Sequence, residues 1–381
     1  MYSILDYGQM IADRIRTTAY LEALQLTVTS ETVVLDLGTG VGGMAILACR
    51  AGARRVFAVE PDDSIQLAIA IAAKSGLEDR IQFIQAESTQ VSLPEQVDVI
   101  VSDLRGVLPL YKTHIPSIID ARQRLLSPSG TLIPQQDTLW AAVVDSPELY
   151  RRYEEPWQHN DFDLDLQAGE MLAKNTWRKG RVNPDSLLAA PVCWATLDYH
   201  TISSPNVSFE GPLTVTRAGT GYGLNIWFDT TLTDGVSFSN APDAPELIYQ
   251  SAFFPWPKPL VLEIGDVINL HIRAELVGDD YVWCWQAHVI GKSPDHVKAN
   301  FKQSTFLGVP FSPTNLKKQA SCYVPTLNEE GRVNALILQL MDGQISLEMI
   351  AKRLQEHFPA KYADWKEALT DASAVSLKYS Q

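Results

Sequence analysis

Apolar runs alternate with amphipathic stretches between residues 31 and 145 of the chain. The apolar runs are short and rich in Val and Ile, which predicts buried strands, and the stretches between them have helical spacing. Strands that alternate with helices predict a doubly wound α/β domain with a parallel sheet. The predicted strands cover residues 32–37, 55–60, 81–85, 97–102 and a stretch near 130–144, and the predicted helices cover 43–51, 63–75 and 114–126.

The spacing of apolar residues changes twice further along the chain. Between about 187 and 310, short alternating segments rich in aromatic residues predict an all-β domain, a barrel or a sandwich. The last 60 residues have apolar stripes typical of three helices, the third from about 361 to 371, and predict a small winged-helix-like module. The predicted domains are N-terminal helices at 1–30, the α/β domain at 31–145, a β-barrel at 146–318 and the helical module at 319–381.

A glycine cluster follows the first predicted strand directly. Gly38, Gly40 and Gly43 lie between that strand and the start of the next helix. Glycine permits positive φ and the close approach of a ligand, and a helix N-terminus offers unpaired N–H groups. This turn is therefore a candidate cofactor site.

Two cofactors fit the turn. The spacing Gly-x-Gly-x-x-Gly, with Glu60 twenty residues after Gly40, is compatible with a nicotinamide dinucleotide. However, Asp36 lies within the strand end, where a dinucleotide motif normally has a small or apolar residue. An acid there suits a cationic group such as the ammonium of S-adenosylmethionine, with Glu60 on the ribose hydroxyls. We therefore favour S-adenosylmethionine, and the nicotinamide cofactor stays the alternative.

Acidic residues recur at the ends of successive predicted strands. Asp36, Glu60, Glu87 and Asp103 each lie at or just past such an end. The carboxyl ends of parallel strands meet at one edge of the sheet, where ligands bind in doubly wound folds. Four acids at such positions predict a ligand site at that edge.

Composition excludes several classes of partner. The chain has 381 residues and a net charge of −14, which argues against nucleic-acid binding through phosphates. Its four cysteines are scattered and form no CxxC pair, which favours reduced thiols in a cytoplasmic protein. No apolar run approaches 18 residues and no signal pattern begins the chain, so we expect no membrane partner.

The first 310 residues resemble a protein arginine methyltransferase. The similar segments are Met10–Thr17, Val34–Gly40, Ala51–Glu60 and Val97–Asp103. The resemblance implies an α/β domain followed by a β-barrel, S-adenosylmethionine as methyl donor, a protein or peptide substrate, and a homodimer formed through an arm near 160–190. The implied cofactor contacts are Arg16 on the carboxylate, Asp36, Gly38 and Gly40 on the amino-acid end, Glu60 on the ribose, and Glu87 with Ser88 on the adenine.

The resemblance fails at the acceptor site. That family holds a guanidinium between two glutamates, but here Asp103 has the first position and Lys112 the second, and a cation repels a guanidinium. The family's Thr-His-Trp loop is replaced by Glu246-Leu247-Ile248. Three explanations stay open: a neutral nucleophile, a relocated acid with Glu246 as candidate, or an inactive site. We count Asp103, Lys112, Tyr7 and Glu246 as catalytic candidates, with Lys112 either contacting the substrate or facing solvent. His114 is a possible base, but we expect a surface histidine at a helix start.

The C-terminal module resembles the PqqD-like fold, which binds leader segments of ribosomally made peptides. The similar segments are Pro325–Gly331, Leu340–Gly343 and Leu347–Ala351. The resemblance implies capture of a precursor peptide, with a peptide strand able to add to a β-wing. A purely structural helical cap on the barrel is the alternative.

The sequence therefore predicts a methyltransferase that uses S-adenosylmethionine and acts on a peptide or protein side chain. The alternatives are an arginine N-methyltransferase with a relocated acid and a catalytically silent binding protein. A nicotinamide-linked reductase is a further class.

Overall fold

A computed structural model describes residues 3–293 and 296–380. The chain forms two compact units, Met1–Pro310 and Phe311–Gln381, whereas the sequence predicted a domain boundary at 318/319. The helices are α1 Ile4–Ala12, α2 Arg14–Thr27, α3 Gly43–Ala51, α4 Ser64–Lys74, α5 His114–Arg124, α6 Pro147–Gln158, α7 Gln167–Ala173, α8 Pro313–Lys318, α9 Glu329–Leu340, α10 Leu347–His357 and α11 Trp365–Tyr379. The strands are β1 Val33–Leu37, β2 Arg55–Val59, β3 Ile81–Ile84, β4 Val97–Ser102, β5 Leu126–Ile133, β6 Gln136–Val144, β7 Arg178–Gly180, β8 Val192–Asp198, β9 Val207–Thr214, β10 Gly219–Thr233, β11 Val236–Ser239, β12 Ser251–Leu262, β13 Val267–Val277, β14 Asp280–Ile290 and β15 Val297–Ser304.

The first sheet is parallel, with strand order β3-β2-β1-β4-β5. All five residues of β1 are buried, as expected for a central strand covered on both faces. Leu37 is paired with Val59 on one side and with Ser102 on the other, so β1, β2 and β4 end at the same level. The predicted doubly wound domain is confirmed, and its strand ends present Asp36, Glu60 and Asp103 at one edge.

The strand predicted near 130–144 is two strands. β5 completes the parallel sheet, and β6 begins the antiparallel domain. The apolar end of β5 and the start of β6 are separated by only two residues, Pro134 and Gln135, so the pattern of apolar residues shows no clear boundary. The prediction of one segment was wrong because the chain changes sheets there.

The predicted all-β domain consists of two antiparallel sheets. One has the order β7-β12-β10-β6-β8 with β11 beside β10, and the other has the order β15-β14-β13-β9. Alternate residues of β14 are buried, which gives one face to the core and one to solvent. Large aromatic side chains fill that core, among them Trp256, Trp285 and Phe254.

Helices α1 and α2 pack beside the strand ends. Helix α2 starts at the N-cap Asp13, whose carboxylate accepts a hydrogen bond from the Arg16 N–H at 3.1 Å. Its buried face contains Tyr20, Ala23 and Leu24, which lie in the core of the unit. This packing fixes the side chain of Arg16 over the sheet edge.

The unit from Phe311 onward has its own apolar core, with Val333, Ile337 and Leu354 at its centre. The predicted third helix begins later than expected, at Trp365, because Asp364 caps it, and it continues to Tyr379. Residues 311–380 contain helices and no strand, so the predicted β-wing is not found in them. Across the described parts of the chain, no helix is long and apolar enough to cross a membrane.

Candidate active site

A cavity of about 690 Å³ lies at the carboxyl edge of the parallel sheet, beneath α1 and the start of α2. Its walls contain every residue predicted to bind the cofactor, together with three of the four catalytic candidates. The cofactor candidates in the wall are Arg16, Asp36, Gly38, Gly40, Glu60, Glu87 and Ser88, and the catalytic candidates are Tyr7, Asp103 and Lys112. Residues that the sequence separates widely therefore share one cavity.

Asp36 is held inside the sheet edge. Its carboxylate accepts hydrogen bonds from the Thr39 hydroxyl at 2.5 Å and from the Ala45 N–H at 2.8 Å. The residue is 2% exposed, and burial raises its pKa to about 7 although both hydrogen bonds oppose that rise. A buried carboxylate with this pKa gains from a cationic partner in the cavity.

The glycine turn is packed tightly against α1. Gly38 and Gly40 have φ of 76° and 53°, which favour glycine. A Cβ on Gly40 would lie 2.6 Å from the Tyr7 ring, and the Tyr7 and Ser64 hydroxyls are 3.3 Å apart. Tyr7 thus covers the turn from α1 and closes one wall of the cavity.

Glu60 follows β2 and faces the glycine turn. Its two carboxylate oxygens accept hydrogen bonds from the N–H groups of Gly40 at 3.0 Å and Asp62 at 3.1 Å. Burial raises its pKa. Glu87 and Ser88 lie farther along the same wall, at the start of a short 3₁₀ turn, and Glu87 is exposed.

Asp103, at the end of β4, is enclosed by donors. One carboxylate oxygen accepts from the Arg16 Nε at 2.6 Å and from the Tyr249 hydroxyl at 2.5 Å. The other accepts from the Arg105 Nε at 3.0 Å. Although burial opposes ionisation, the two guanidinium groups hold the pKa of Asp103 at about 2. Arg16, predicted to hold the cofactor carboxylate, lines the cavity and forms an ion pair with Asp103.

Arg105 belongs to this network although the sequence did not indicate it. It is 2% exposed and donates to Asp137 at 3.0 Å, to Thr230 at 2.8 Å and to the Tyr20 hydroxyl. Its guanidinium lies 5.4–5.9 Å from the ring centroids of Tyr20, Phe228, Phe238 and Tyr249. Its partners come from distant strands and α2, so no local spacing could identify it. Loss of any one partner would leave a buried charge without compensation, which lowers the stability of the fold.

Lys112 lies on the loop between β4 and α5. It has φ of 44°, and its ammonium lies 5.3 Å from the centroid of the Tyr111 ring. The Tyr111 hydroxyl raises the pKa of Lys112, so the cavity wall has an exposed cation here. No acid on this loop takes the place of the second glutamate.

Glu246 lies outside the cavity wall. Its side chain is exposed and accepts a hydrogen bond from the Gln250 amide at 3.2 Å. Its neighbour Ile248 donates its N–H to Asp13 at 2.8 Å, which joins this loop to the N-cap of α2. The structure therefore brings the loop to the helix pair without bringing Glu246 into the site.

His114 is buried, contrary to the surface position expected from the sequence. It is 3% exposed, lines the cavity and lies 5.5 Å from the Tyr199 ring. The prediction was wrong because the loop before α5 turns inward and buries the helix start against the end of β8. Across residues 3–293 and 296–380, no group of three or more His, Cys, Asp or Glu side chains could hold a metal ion.

Known proteins resemble this chain over the same regions. Residues 15–145 match the family model of ribosomal protein L11 methyltransferase (PrmA). The chain is 30% identical over 239 residues to protein arginine N-methyltransferase 2 of Dictyostelium discoideum, covering 58% of this chain and 46% of that protein. It is 27% identical to protein arginine N-methyltransferase 6 of Xenopus tropicalis, and this match covers 72% of this chain and 82% of that protein. Ribosomal protein arginine N-methyltransferase rmt3 of Schizosaccharomyces pombe is 34% identical, and the match covers 59% of this chain and 42% of that protein. The chain thus spans less than half the length of two of these relatives.

Solved structures give the same fold. The Trypanosoma brucei PRMT1 enzyme-prozyme complex with AdoHcy matches with a TM-score of 0.70 and 22% identity over 78% of this chain and 96% of that one. Arabidopsis thaliana protein arginine methyltransferase 10 matches with a TM-score of 0.70 and 23% identity, over 79% of this chain and 97% of that one. The fold is that of the protein arginine methyltransferases. The predicted combination of an α/β domain with a following antiparallel β domain is confirmed.

Proposed function

We propose that this protein is a methyltransferase that uses S-adenosylmethionine and acts on a side chain of a peptide or protein. The main support is the single cavity that unites Asp36, the glycine turn and Glu60. Arginine methyltransferases are among its relatives, and one solved neighbour is a complex with AdoHcy. Both findings favour S-adenosylmethionine over the nicotinamide alternative.

The residues of the cavity fit this cofactor chemically. Asp36 offers a buried carboxylate to the ammonium, and Glu60 offers acceptor oxygens to the ribose hydroxyls. Gly38 and Gly40 have no Cβ, so Leu104 and Tyr7 can pack directly against the turn and form part of the wall that the ligand would contact. Arg16 lines the same wall and would meet the cofactor carboxylate.

When bound, S-adenosylmethionine supplies a methyl group on a sulfonium, which a nucleophile can displace directly. The protein's own contribution is alignment and exclusion of water. Tyr7 covers the glycine turn, and Asp103 is fixed by Arg16, Arg105 and Tyr249 at the side where an acceptor would enter.

We infer that the acceptor is an uncharged nitrogen. Both oxygens of Asp103 already accept strong hydrogen bonds, and Lys112 adds a positive charge to the wall. A guanidinium would compete with Arg16 and Arg105 for one short carboxylate. Arginine is the second candidate, and the names of the relatives favour it.

The test measures binding and then transfer. Calorimetry with S-adenosylhomocysteine and with NADH separates the two cofactors, since only one of them should bind. Four peptides, Gly-Gly-Xaa-Gly-Gly with Arg, Lys, His or Gln at Xaa, are then incubated with methyl-tritiated cofactor. Label in the His or Gln peptide supports an uncharged acceptor, and label in the Arg peptide supports the second candidate. Absence of S-adenosylhomocysteine binding overturns the proposal, while binding without label in any peptide favours a silent binding protein.

We further propose that the C-terminal unit captures the substrate peptide. Within that unit, a cavity of about 640 Å³ is lined by charged and amide side chains that include Glu330, Asn334 and Lys378. A displayed peptide library selected on the full chain should enrich one sequence class. Glu330→Arg should abolish that enrichment, whereas Glu348→Arg, outside the cavity, should preserve it. Equal enrichment by both variants would favour the structural-cap alternative.

The predicted homodimer is likewise a proposal. In the predicted arm, Phe162, Leu164 and Met171 are 80%, 57% and 66% exposed, which is unusual for apolar side chains so close in sequence. Light scattering should give twice the mass of one chain for the wild type. The double variant with Phe162→Ser and Leu164→Ser should give the mass of a single chain. A wild-type mass of one chain would contradict the proposal.

A further inference from the structure

His114 is a buried titratable side chain with no assigned task in the proposed mechanism. It is the first residue of α5 and lines the cavity beside Tyr111, Lys112 and Asp103. Its position places an imidazole on the wall where the acceptor would enter. Three observations define what this imidazole can do there: its tautomer, its charge and the state of the neighbouring acids.

The tautomer of His114 follows from one hydrogen bond. Its Nδ1 lies 2.8 Å from the Pro109 carbonyl oxygen. Because a carbonyl can only accept, Nδ1 must carry the hydrogen, and the neutral ring then has its lone pair on Nε2. No hydrogen bond from a described residue engages Nε2. The nitrogen able to accept a proton is therefore left available.

The surroundings of His114 keep it neutral. Burial lowers its pKa, and Arg105 acts in the same direction. Asp137 and Asp103 act in the opposite direction and would favour an imidazolium once it forms. Tyr199 packs against the ring, and Lys112 on the preceding loop and Arg16, paired with Asp103, are further charged groups of this cavity. The ring is thus uncharged at rest and lies near two carboxylates.

Asp103, the acid that lines the cavity beside His114, is a poor base by comparison. Asp103 accepts three hydrogen bonds, and its pKa is held at about 2, so it has little affinity for a proton. Asp36 and Glu60 accept hydrogen bonds from the glycine turn and the start of α3, at the end assigned to the cofactor. His114 is the one histidine among the described residues of the wall.

We propose that His114 is the general base for methyl transfer. This inference rests on the proposed function. As the nitrogen–carbon bond forms, the sulfonium carbon–sulfur bond breaks, and its electron pair goes to sulfur. In the same step, the acceptor side chain gives up one N–H proton to Nε2 of His114, from the attacking nitrogen of an amide or amine or from the other ring nitrogen of an imidazole. Water takes the proton from the imidazolium after the peptide leaves.

The activity test compares His114→Gln with His200→Gln, a matched change at an exposed histidine of the β domain. The assay uses the peptide that takes up label in the set above. Loss of a general base should lower kcat by about 100-fold or more, with unchanged affinity for S-adenosylhomocysteine. Wild-type kcat should fall as pH drops through the pKa of His114, and His114→Gln should lack this limb. Added imidazole should partly restore His114→Ala.

A spectroscopic test needs no substrate. In ¹⁵N-histidine NMR of the full chain at pH 7, His114 should show a protonated Nδ1 and an unprotonated Nε2, assigned by its absence from His114→Gln. A hydrogen on Nε2, or a wild-type pH profile in His114→Gln, overturns the inference even when S-adenosylhomocysteine binds. Absence of that binding overturns the proposed function, and the inference with it.

Discussion

The change Asp36→Asn separates ligand binding from stability at this site. Asp36 lies at the end of β1 and accepts hydrogen bonds from Thr39 and Ala45. Asparagine retains an oxygen that can accept both bonds but has no charge. The variant therefore removes the buried negative charge with little change in shape.

The expected effect on stability follows from the raised pKa of Asp36. Folding moves this pKa from 3.8 to about 7, so the folded protein retains a proton that the unfolded chain releases between these values. Stability from this group is present below pH 3.8 and is lost as pH rises to 7. Three pKa units at about 1.4 kcal/mol each set a ceiling of roughly 4 kcal/mol. The free Asp36→Asn protein should therefore melt several degrees above wild type at pH 8, with a smaller difference at pH 5.

The effect on binding has the opposite sign. Loss of one buried charge-assisted hydrogen bond to the ligand ammonium costs about 1.5–3 kcal/mol, or roughly 10- to 150-fold in affinity. Calorimetry with S-adenosylhomocysteine at pH 8 measures this, and wild-type affinity should rise from pH 6 to pH 8 as Asp36 ionises.

The matched control is Asp98→Asn. Asp98 accepts a hydrogen bond from the Val33 N–H at 2.8 Å at the opposite end of the sheet, where it is exposed. Its change should leave affinity and its pH dependence unaltered. Equal ligand affinity in wild type and Asp36→Asn at pH 8 would refute the assignment of Asp36 to a cationic group.

Three further changes probe other parts of the structure. Arg105→Met should lower the free energy of unfolding by about 3–5 kcal/mol, because Asp137 loses its buried cationic partner. A loss of less than about 1 kcal/mol in denaturant melts would contradict this prediction. Glu154→Gln should raise the melting temperature at pH 8 more than at pH 5, since burial raises the pKa of Glu154 to about 7 and the wild type loses stability as pH rises to that value. Gly40→Ala should weaken S-adenosylhomocysteine binding at least tenfold by displacing the tyrosine ring of α1, whereas Gly52→Ala, with φ of 109° and no atom within 4 Å of its Cβ, should strain the backbone without changing affinity.

Much of the cofactor end could be predicted because its geometry follows from strand ends. In a parallel sheet, the register that pairs Leu37 with Val59 brings the residues after both strands to one edge. Asp36 and Glu60 are each one residue from these positions. Their proximity therefore follows from where the two strands end and from the spacing of the glycines after the first strand, and both can be read from the sequence.

The acceptor end could not be predicted in the same way. Arg105 is buried by partners that include Asp137 on β6 and Thr230 on β10, and only the packing of the two sheets places these side chains together. His114 has the sequence context of a surface helix start, yet the preceding loop turns it inward. Such burial depends on tertiary contacts rather than on any spacing within α5.

The charges around the acceptor wall favour a particular chemistry. Arg16, Arg105 and Lys112 are cationic, whereas Asp103 and Asp137 are the anionic side chains of the same network. A bound sulfonium adds another positive charge, and a cationic acceptor would lose its hydration beside Asp103, whose carboxylate is already paired with Arg16 and Arg105. An uncharged acceptor avoids this cost, but it still has to release a proton when it is methylated. The neutral imidazole of His114 can take that proton, and this is why a wall poor in available acids is compatible with catalysis.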